Sequence, residues 1–332
     1  MSIVLDAMGS DTHPDPELLA AIKATHRFQE EIILVGNEPV ILPKITAMNK
    51  DELPIRVVHA PYVVEMDEKA VESARQKPEN SMAVGMQLVA NGEARAFVTA
   101  GNTGGALFNA ITTFRRIKGI SRPALTTTLP TKTGRCAFLD TGANADCRPD
   151  FLLEFATMGS VYAKCVLGIE NPRVGLLSNG EEDGKGNELV RQAHKLIRAS
   201  RINFSGNVEP KDVYAGKVDV LVADGFSGNI FLKTSEAVGK FILSNLREQI
   251  TASITRKLGY LLVKPAFTPL RKMMDPAEVG AAMLLGVNGY VFIGHGGSDD
   301  AALVNAIKLA RLAVDNNLLD VLKESILEHN QG

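Results

Sequence analysis

The sequence predicts an α/β fold built on a mainly parallel sheet, and three observations point to it. Short apolar runs of strand length alternate with longer segments of helical periodicity from Ser2 onward. Glycine-bearing turns recur where an apolar run hands over to a helix, at 6–11, 99–105, 177–188 and 224–229. The chain has 332 residues, enough for one large α/β domain or two ordinary ones. It is read as one domain over 1–332, with a helical protrusion at about 240–275.

Composition sets the class. The chain is 45% hydrophobic, has a formal net charge of -2 and lacks Trp, so no global electrostatic argument favours nucleic acid as a partner. Met1 leads directly into the apolar run Ile3 to Leu5 with no basic region before it, so no secretory signal is expected. No apolar run reaches membrane-spanning length. Cys136, Cys147 and Cys165 have no metal-ligand spacing and read as packing residues in a reduced, cytoplasmic protein, with neither metal nor cofactor expected.

In chain order, Ser2 to Leu5 is a strand leading into DAMGSDTHP, and a helix follows from Pro16 to Phe28. Asp11 or Asp15 serves as a helix cap, whereas Asp6 at the strand end is misplaced for one. With Gly9 it stands where open α/β sheets place ligands. Glu31 to Val35 and Ile55 to Val58 are the next strands, and a helix over Ser81 to Asn91 stops at Gly92. Ala96 to Thr99 opens the turn TAGNTGG, in which Asn102, Thr103 and Gly104 could meet a ligand or simply connect two elements. Ala124 to Asp140 reads as a β-hairpin turning over Thr131 to Gly134, placed as an arm or a sheet edge. Asp140 and Asn144 then either line a cleft or do turn chemistry, and Pro149 starts a helix to about Val166.

Arg173 to Leu177 is a strand ending in LSNGEEDGKGNE. Lys185, flanked by Gly184 and Gly186, can bring a point charge to a phosphate, with Asn187 beside it; Glu181, Glu182 and Asp183 read as a solvated face. The spacing matches neither a P-loop nor a dinucleotide fingerprint. Asn203 to Asn207 is another strand, with FSGNVEP as a turn. Val218 to Ala223 is a buried strand, and Asp224 to Asn229 is a tight turn before a helix from about Lys233 to Gln249. In that turn Gly225 and Gly228 clear side chains from outward-facing N–H groups around Ser227, a place suited to phosphate.

Residues 256–272 mix Leu258, Tyr260, Leu261, Leu262, Val263 and Phe267 with Arg256, Lys257, Lys264, Arg271 and Lys272. Such a run suits an anionic membrane surface, an acidic partner, or a helical hairpin in a dimer interface, with Pro265 and Pro269 breaking any single long helix. Ala281 to Phe292 is again buried in pattern, and His295 in the following HGGS turn could position a proton or an anion.

Taken together, DAMGSD, TAGNTGG, NGEEDGKGN, DGFSGNIFLK and HGGSDDAALVNAI resemble, in this order and over essentially the whole chain, the bacterial phosphate acyltransferases. Those enzymes make acyl phosphate from acyl-[acyl-carrier protein] and inorganic phosphate. The resemblance implies a homodimeric three-layer α/β/α fold akin to phosphotransacetylases and isopropylmalate dehydrogenases. It also implies a place early in phospholipid synthesis, with the product passing to a membrane glycerol-3-phosphate acyltransferase. Ser10 departs from the family's usual DAMGGD, and carries strain if that position needs a positive φ.

On this reading Lys185, with N–H groups at Gly104 and Ser227 to Asn229, binds phosphate, and Asn187 and Asn229 orient phosphate or the acyl oxygen. Asp6 and Asp224 organise the loops and His295 handles a proton, while Lys257, Leu258, Leu261, Leu262 and Lys264 meet an anionic membrane or the carrier protein. The alternatives are a phosphotransacetylase acting on acyl-coenzyme A and a non-enzymatic, phosphate-responsive docking protein. An isopropylmalate-type dehydrogenase lacks its nicotinamide fingerprint and metal-binding aspartates here.

Overall fold

Strand β1 (Ile3–Asp6) is buried along its whole length, and its residues alternate between two apolar layers. Ile3 and Leu5 face one layer and Val4 the other, so helices must cover both sides of the sheet. The computed structural model describes residues 2–49, 51–273 and 275–330, with the side chains of 269–272, 276, 329 and 330 outside that description.

After β1 come α1 (Asp15–Phe28), β2 (Ile32–Gly36), α2 (Glu38–Met48), β3 (Ile55–His59), α3 (Ala70–Gln76), α4 (Ser81–Ala90), β4 (Ala96–Thr99) and α5 (Thr103–Phe114). The middle of the chain forms β5 (Ala124–Thr131), β6 (Gly134–Leu139), α6 (Pro149–Leu167), β7 (Val174–Leu177), α7 (Glu188–Ala199), β8 (Phe204–Val208), α8 (Pro210–Ala215) and β9 (Val220–Val222). It closes with α9 (Gly225–Thr251), α10 (Ile254–Met273), β10 (Ala282–Leu285), β11 (Tyr290–Ile293), α11 (Asp300–Asp315) and α12 (Leu318–Asn330).

Helices α1, α6, α7, α11 and α12 pack on one face of the sheet; α4 and α5 cover part of the other, and α8 and the start of α9 cover the rest. The result is the three-layer α/β/α arrangement expected of the chain.

The strands form one 11-stranded sheet in the order β3-β2-β1-β4-β11-β10-β5-β6-β9-β7-β8. Pairing is parallel except for the consecutive contacts β11 to β10, β10 to β5 and β5 to β6. Those reversals make the two parallel halves run in opposite directions. Strand β5 joins them by serving two ladders: Ala124 to Thr126 pair with β10, and Thr127 to Thr131 pair with β6. Ile293, the last residue of β11, pairs with Ala282, and β6 ends at Leu139, next to Phe138, which pairs with Thr127. Along the strand direction the carboxyl ends of both halves therefore reach the same level of the sheet to within about one residue step, with β10 and β5 lying between β11 and β6. Ligands of α/β sheets bind at such ends.

Several expectations need correction. The hairpin of β5 and β6 lies in the middle of the sheet and is neither an arm nor an edge, because its apolar residues are buried on both faces. FSGNVEP holds strand β8, and the chain turns only at Glu209, where Glu209 and Asp212 form a capping box. Helix α9 starts at Gly225, well before Lys233. Helix α10 runs through Pro265 and Pro269, each of which forgoes one backbone hydrogen bond without ending it. It packs against α9. Its described side chains are exposed apart from the half-buried Tyr260 and Phe267, whose rings lie 5.9 Å apart. No helix among the described residues is long and apolar enough to cross a membrane.

Candidate active site

The loops after β1 and β4 are tied together below the sheet edge. Thr99 donates its hydroxyl to Asp6 at 2.8 Å, and Met8 N–H donates to the same carboxylate at 3.1 Å. Burial pushes the Asp6 carboxyl up, while these bonds oppose the shift. Gly9 is needed for close approach: a Cβ there would lie 2.8 Å from the Gly101 amide nitrogen. Ser10, by contrast, is not among the residues with positive φ, so its replacement of glycine brings no left-handed strain. The turn after β11 joins the same group, through Gly294 N–H to the Thr99 carbonyl and Asp11 N–H to the Gly296 carbonyl.

Asn102 caps α5 by accepting from Gly105 N–H, and its amide donates to the Glu65 carbonyl. The side chain is thereby spent on the loop. Among the described residues the N–H groups of Thr103 and Gly104 have no partner, which leaves the positive end of α5 open. Gly104 also lets α3 approach, since a Cβ would lie 2.7 Å from the Ala70 methyl.

The α9 turn is built differently from expectation. Asp224 accepts from Phe226 and Ser227 N–H groups, its carbonyl accepts from Gly228 N–H, and Gly225 N–H goes to the Asn144 carbonyl. Phosphate therefore finds no open N–H at Ser227 or Gly228. The two glycines admit the neighbouring loop: a Cβ on Gly225 would stand 2.5 Å from the Asn144 carbonyl oxygen. That loop is centred on Asp140, which accepts from the N–H groups of Leu125, Gly142, Ala143 and Asn144 and from the Asn144 side chain. Burial pushes the Asp140 carboxyl up against these bonds. Asp140 and Asn144 thus do turn chemistry; Thr141 and Gly142 reach the cleft instead.

A cleft of about 950 Å³ lies over β5. Four strand-end turns contribute to its wall: Thr103 after β4, Thr141 and Gly142 after β6, Asn229 after β9, and Gly294 and His295 after β11. Beyond these polar groups the lining turns apolar, with Leu129, Leu232, Val238, Ile242, Met273 and Val279. At the lip His295 Nε2 lies 3.5 Å from Glu236, whose other oxygen is 3.3 Å from Lys233 Nζ. The His295 contact, helped by Lys233, holds the Glu236 carboxyl below its ordinary range despite partial burial. Lys233 and Glu236 escaped the sequence reading. Starting the helix at Gly225 places them four and seven residues after Asn229, on its face.

Lys185 and Asn187 are not among the cleft-lining residues, because β7 lies beyond β9 from β6. Asn187 caps α7 by accepting from Val190 N–H, so its oxygen is already engaged. Lys185 is exposed, and among the described residues no carboxylate pairs with it. Lys257, Leu258, Leu261, Leu262 and Lys264 all lie exposed on α10; the Arg271 and Lys272 side chains fall outside the described residues. Burial pushes the Cys147 thiol up to about 11 and the buried Cys136 thiol up as well, which makes either a poor nucleophile.

A family model described as a fatty acid synthesis protein matches residues 1–320. A phosphate acyltransferase of Acidobacterium capsulatum is 45% identical over 309 residues, covering 93% of this chain and 92% of that protein. One from Syntrophotalea carbinolica is 44% identical over 320 residues, with 96% and 92% covered. The chain belongs to the phosphate acyltransferase family. As a phosphate acyltransferase it is an enzyme of acyl transfer involving phosphate, in line with a cleft that is polar at the strand ends and apolar beyond them. Among solved structures, EutD phosphotransacetylase from Staphylococcus aureus matches with TM-score 0.62 at 18% identity, covering 95% of this chain and 94% of that one. A phosphotransacetylase from Streptococcus pyogenes gives 0.62 at 19% identity, with the same coverage. These two establish a shared fold.

Proposed function

We propose that the protein transfers a fatty acyl group from acyl-[acyl-carrier protein] to inorganic phosphate, giving acyl phosphate for phospholipid synthesis. The observation that carries this reading is the cleft itself, with an open helix terminus at its polar end and an apolar extension along α9. Phosphate sits against the Thr103 and Gly104 N–H groups, and Asn229 and His295 face it from the other turns. A phosphate oxygen attacks the thioester carbonyl carbon, the tetrahedral oxyanion collapses, the C–S bond breaks, and the carrier thiolate takes up a proton. Phosphate is already a nucleophile, so the residues need only align it and balance charge. His295, held by Glu236, is placed to handle the proton. Lys185, with no carboxylate partner among the described residues, draws phosphate toward the cleft from outside its lining, and Asp6, Asp224 and Asn187 shape the surrounding loops.

The protein acts as a homodimer in the cytoplasm, with α10 touching an anionic membrane from which a glycerol-3-phosphate acyltransferase collects the product. Incubation with acyl-carrier thioester and phosphate, followed by detection of acyl phosphate, tests the reaction. Absence of product with active carrier substrate overturns it. The fold shared with phosphotransacetylases favours one second reading, the same chemistry on acyl-coenzyme A; parallel assays with both thioesters separate the two.

A further inference from the structure

We propose that Gly239, by lacking a side chain on the cleft face of α9, sets the length of acyl chain that the enzyme accepts. This inference rests on the reading of the cleft as the acyl site.

Asn229, Leu232, Glu236, Gly239 and Ile242 recur at intervals of three and four along α9, so they share one helix face, and all five border the cleft. The face is graded: amide and carboxylate come first, and Val238, Gly239 and Ile242 follow without a polar side chain. At about 1.5 Å per residue, Gly239 lies about 15 Å along the axis from Asn229, and Ile242 about 20 Å. A thioester carbonyl held at Asn229 thus sends its chain past Gly239, with Met273 and Val279 also bordering the apolar part. Glycine is a poor residue for a helix interior, and alanine would strengthen α9 there. Gly239 borders the cleft, so a side chain there would take up space at the cleft wall.

The test compares Gly239→Ala and Gly239→Leu with wild type on octanoyl and palmitoyl thioesters of the carrier protein. Leucine at this position should lower kcat/KM for palmitoyl by on the order of 200-fold while leaving octanoyl nearly unchanged, because each displaced methylene costs about fourfold. Alanine should give about a fourfold loss on palmitoyl alone, together with an unchanged or raised Tm. If the leucine variant does not fold, the alanine variant decides. Equal losses on both substrates, or an unchanged chain-length profile, overturn the gauge while leaving the proposed reaction standing. A wild-type enzyme inactive on every thioester overturns the reaction and the gauge with it.

Discussion

Gly228 sits on the backbone of Asp140: a Cβ built on Gly228 would lie 2.0 Å from the Asp140 carbonyl oxygen. Helix α9 is therefore seated on the loop after β6, and the seat positions Asn229 beside Gly142, whose added Cβ would lie 3.5 Å from the Asn229 amide nitrogen. Gly228→Ala should destabilise the protein by about 2 kcal/mol and lower kcat, since the helix must lift to make room. Asp140→Ala removes the acceptor for five donors and should cost about 3 kcal/mol or more. Chemical denaturation with a parallel rate assay checks both. Unchanged stability in Gly228→Ala would show that the helix is not seated this way.

Asn229 and Lys185 should separate kinetically. Asn229 borders the cleft, so Asn229→Ala should lower kcat by about 100-fold. Lys185 lies outside the lining, and its loss should raise KM for phosphate by about tenfold at low salt with kcat nearly kept. Initial rates across phosphate and salt concentrations distinguish these patterns. An equal loss of kcat in both variants would place Lys185 at the reacting atoms.

Glu236 gives a pH signature. Its carboxyl is held below its ordinary value of 4.5, so the contribution to stability is present above that pH and is lost as pH falls through the depressed folded value. Glu236→Gln should be less stable than wild type near neutrality, with the difference shrinking below about pH 4.5. Thermal melts of the two proteins from neutral to acid pH measure this. A difference that grows toward acid would reverse the assignment.

The exposed α10 surface predicts a membrane effect. Reversing the charges of Lys257 and Lys264 while making Leu261 and Leu262 polar should abolish flotation with anionic vesicles and leave soluble turnover largely intact. Retained flotation would remove the membrane role; retained flotation with lost carrier binding would assign these residues to the acidic carrier protein.

The alternation of apolar runs with helical segments made the sheet legible, since burial on both faces leaves a pattern along the chain itself. Asp6 at its strand end and the paired strands of the hairpin were readable for the same reason. What local sequence could not show was which glycines face a ligand and which face a neighbouring backbone. Gly225 and Gly228 meet the Asp140 loop, some eighty residues earlier in the chain, and only the tertiary structure brings the two together. An open turn at these glycines would start α9 later, whereas the helix from Gly225 sets Asn229, Lys233 and Glu236 on one face. Lys185 was prominent in sequence because it is charged and flanked by glycines, yet the order of β6, β9 and β7 keeps it off the cleft lining.

The double pairing of β5 reaches beyond the placement of turns. A strand that completes both ladders cannot leave one without straining the other, so the two halves are fastened like pages to a common spine. Widening of the cleft must bend that spine, whereas two lobes on a flexible tether could swing apart freely. Loss of order in either half should unzip the other, and the body of the protein should melt in a single cooperative transition.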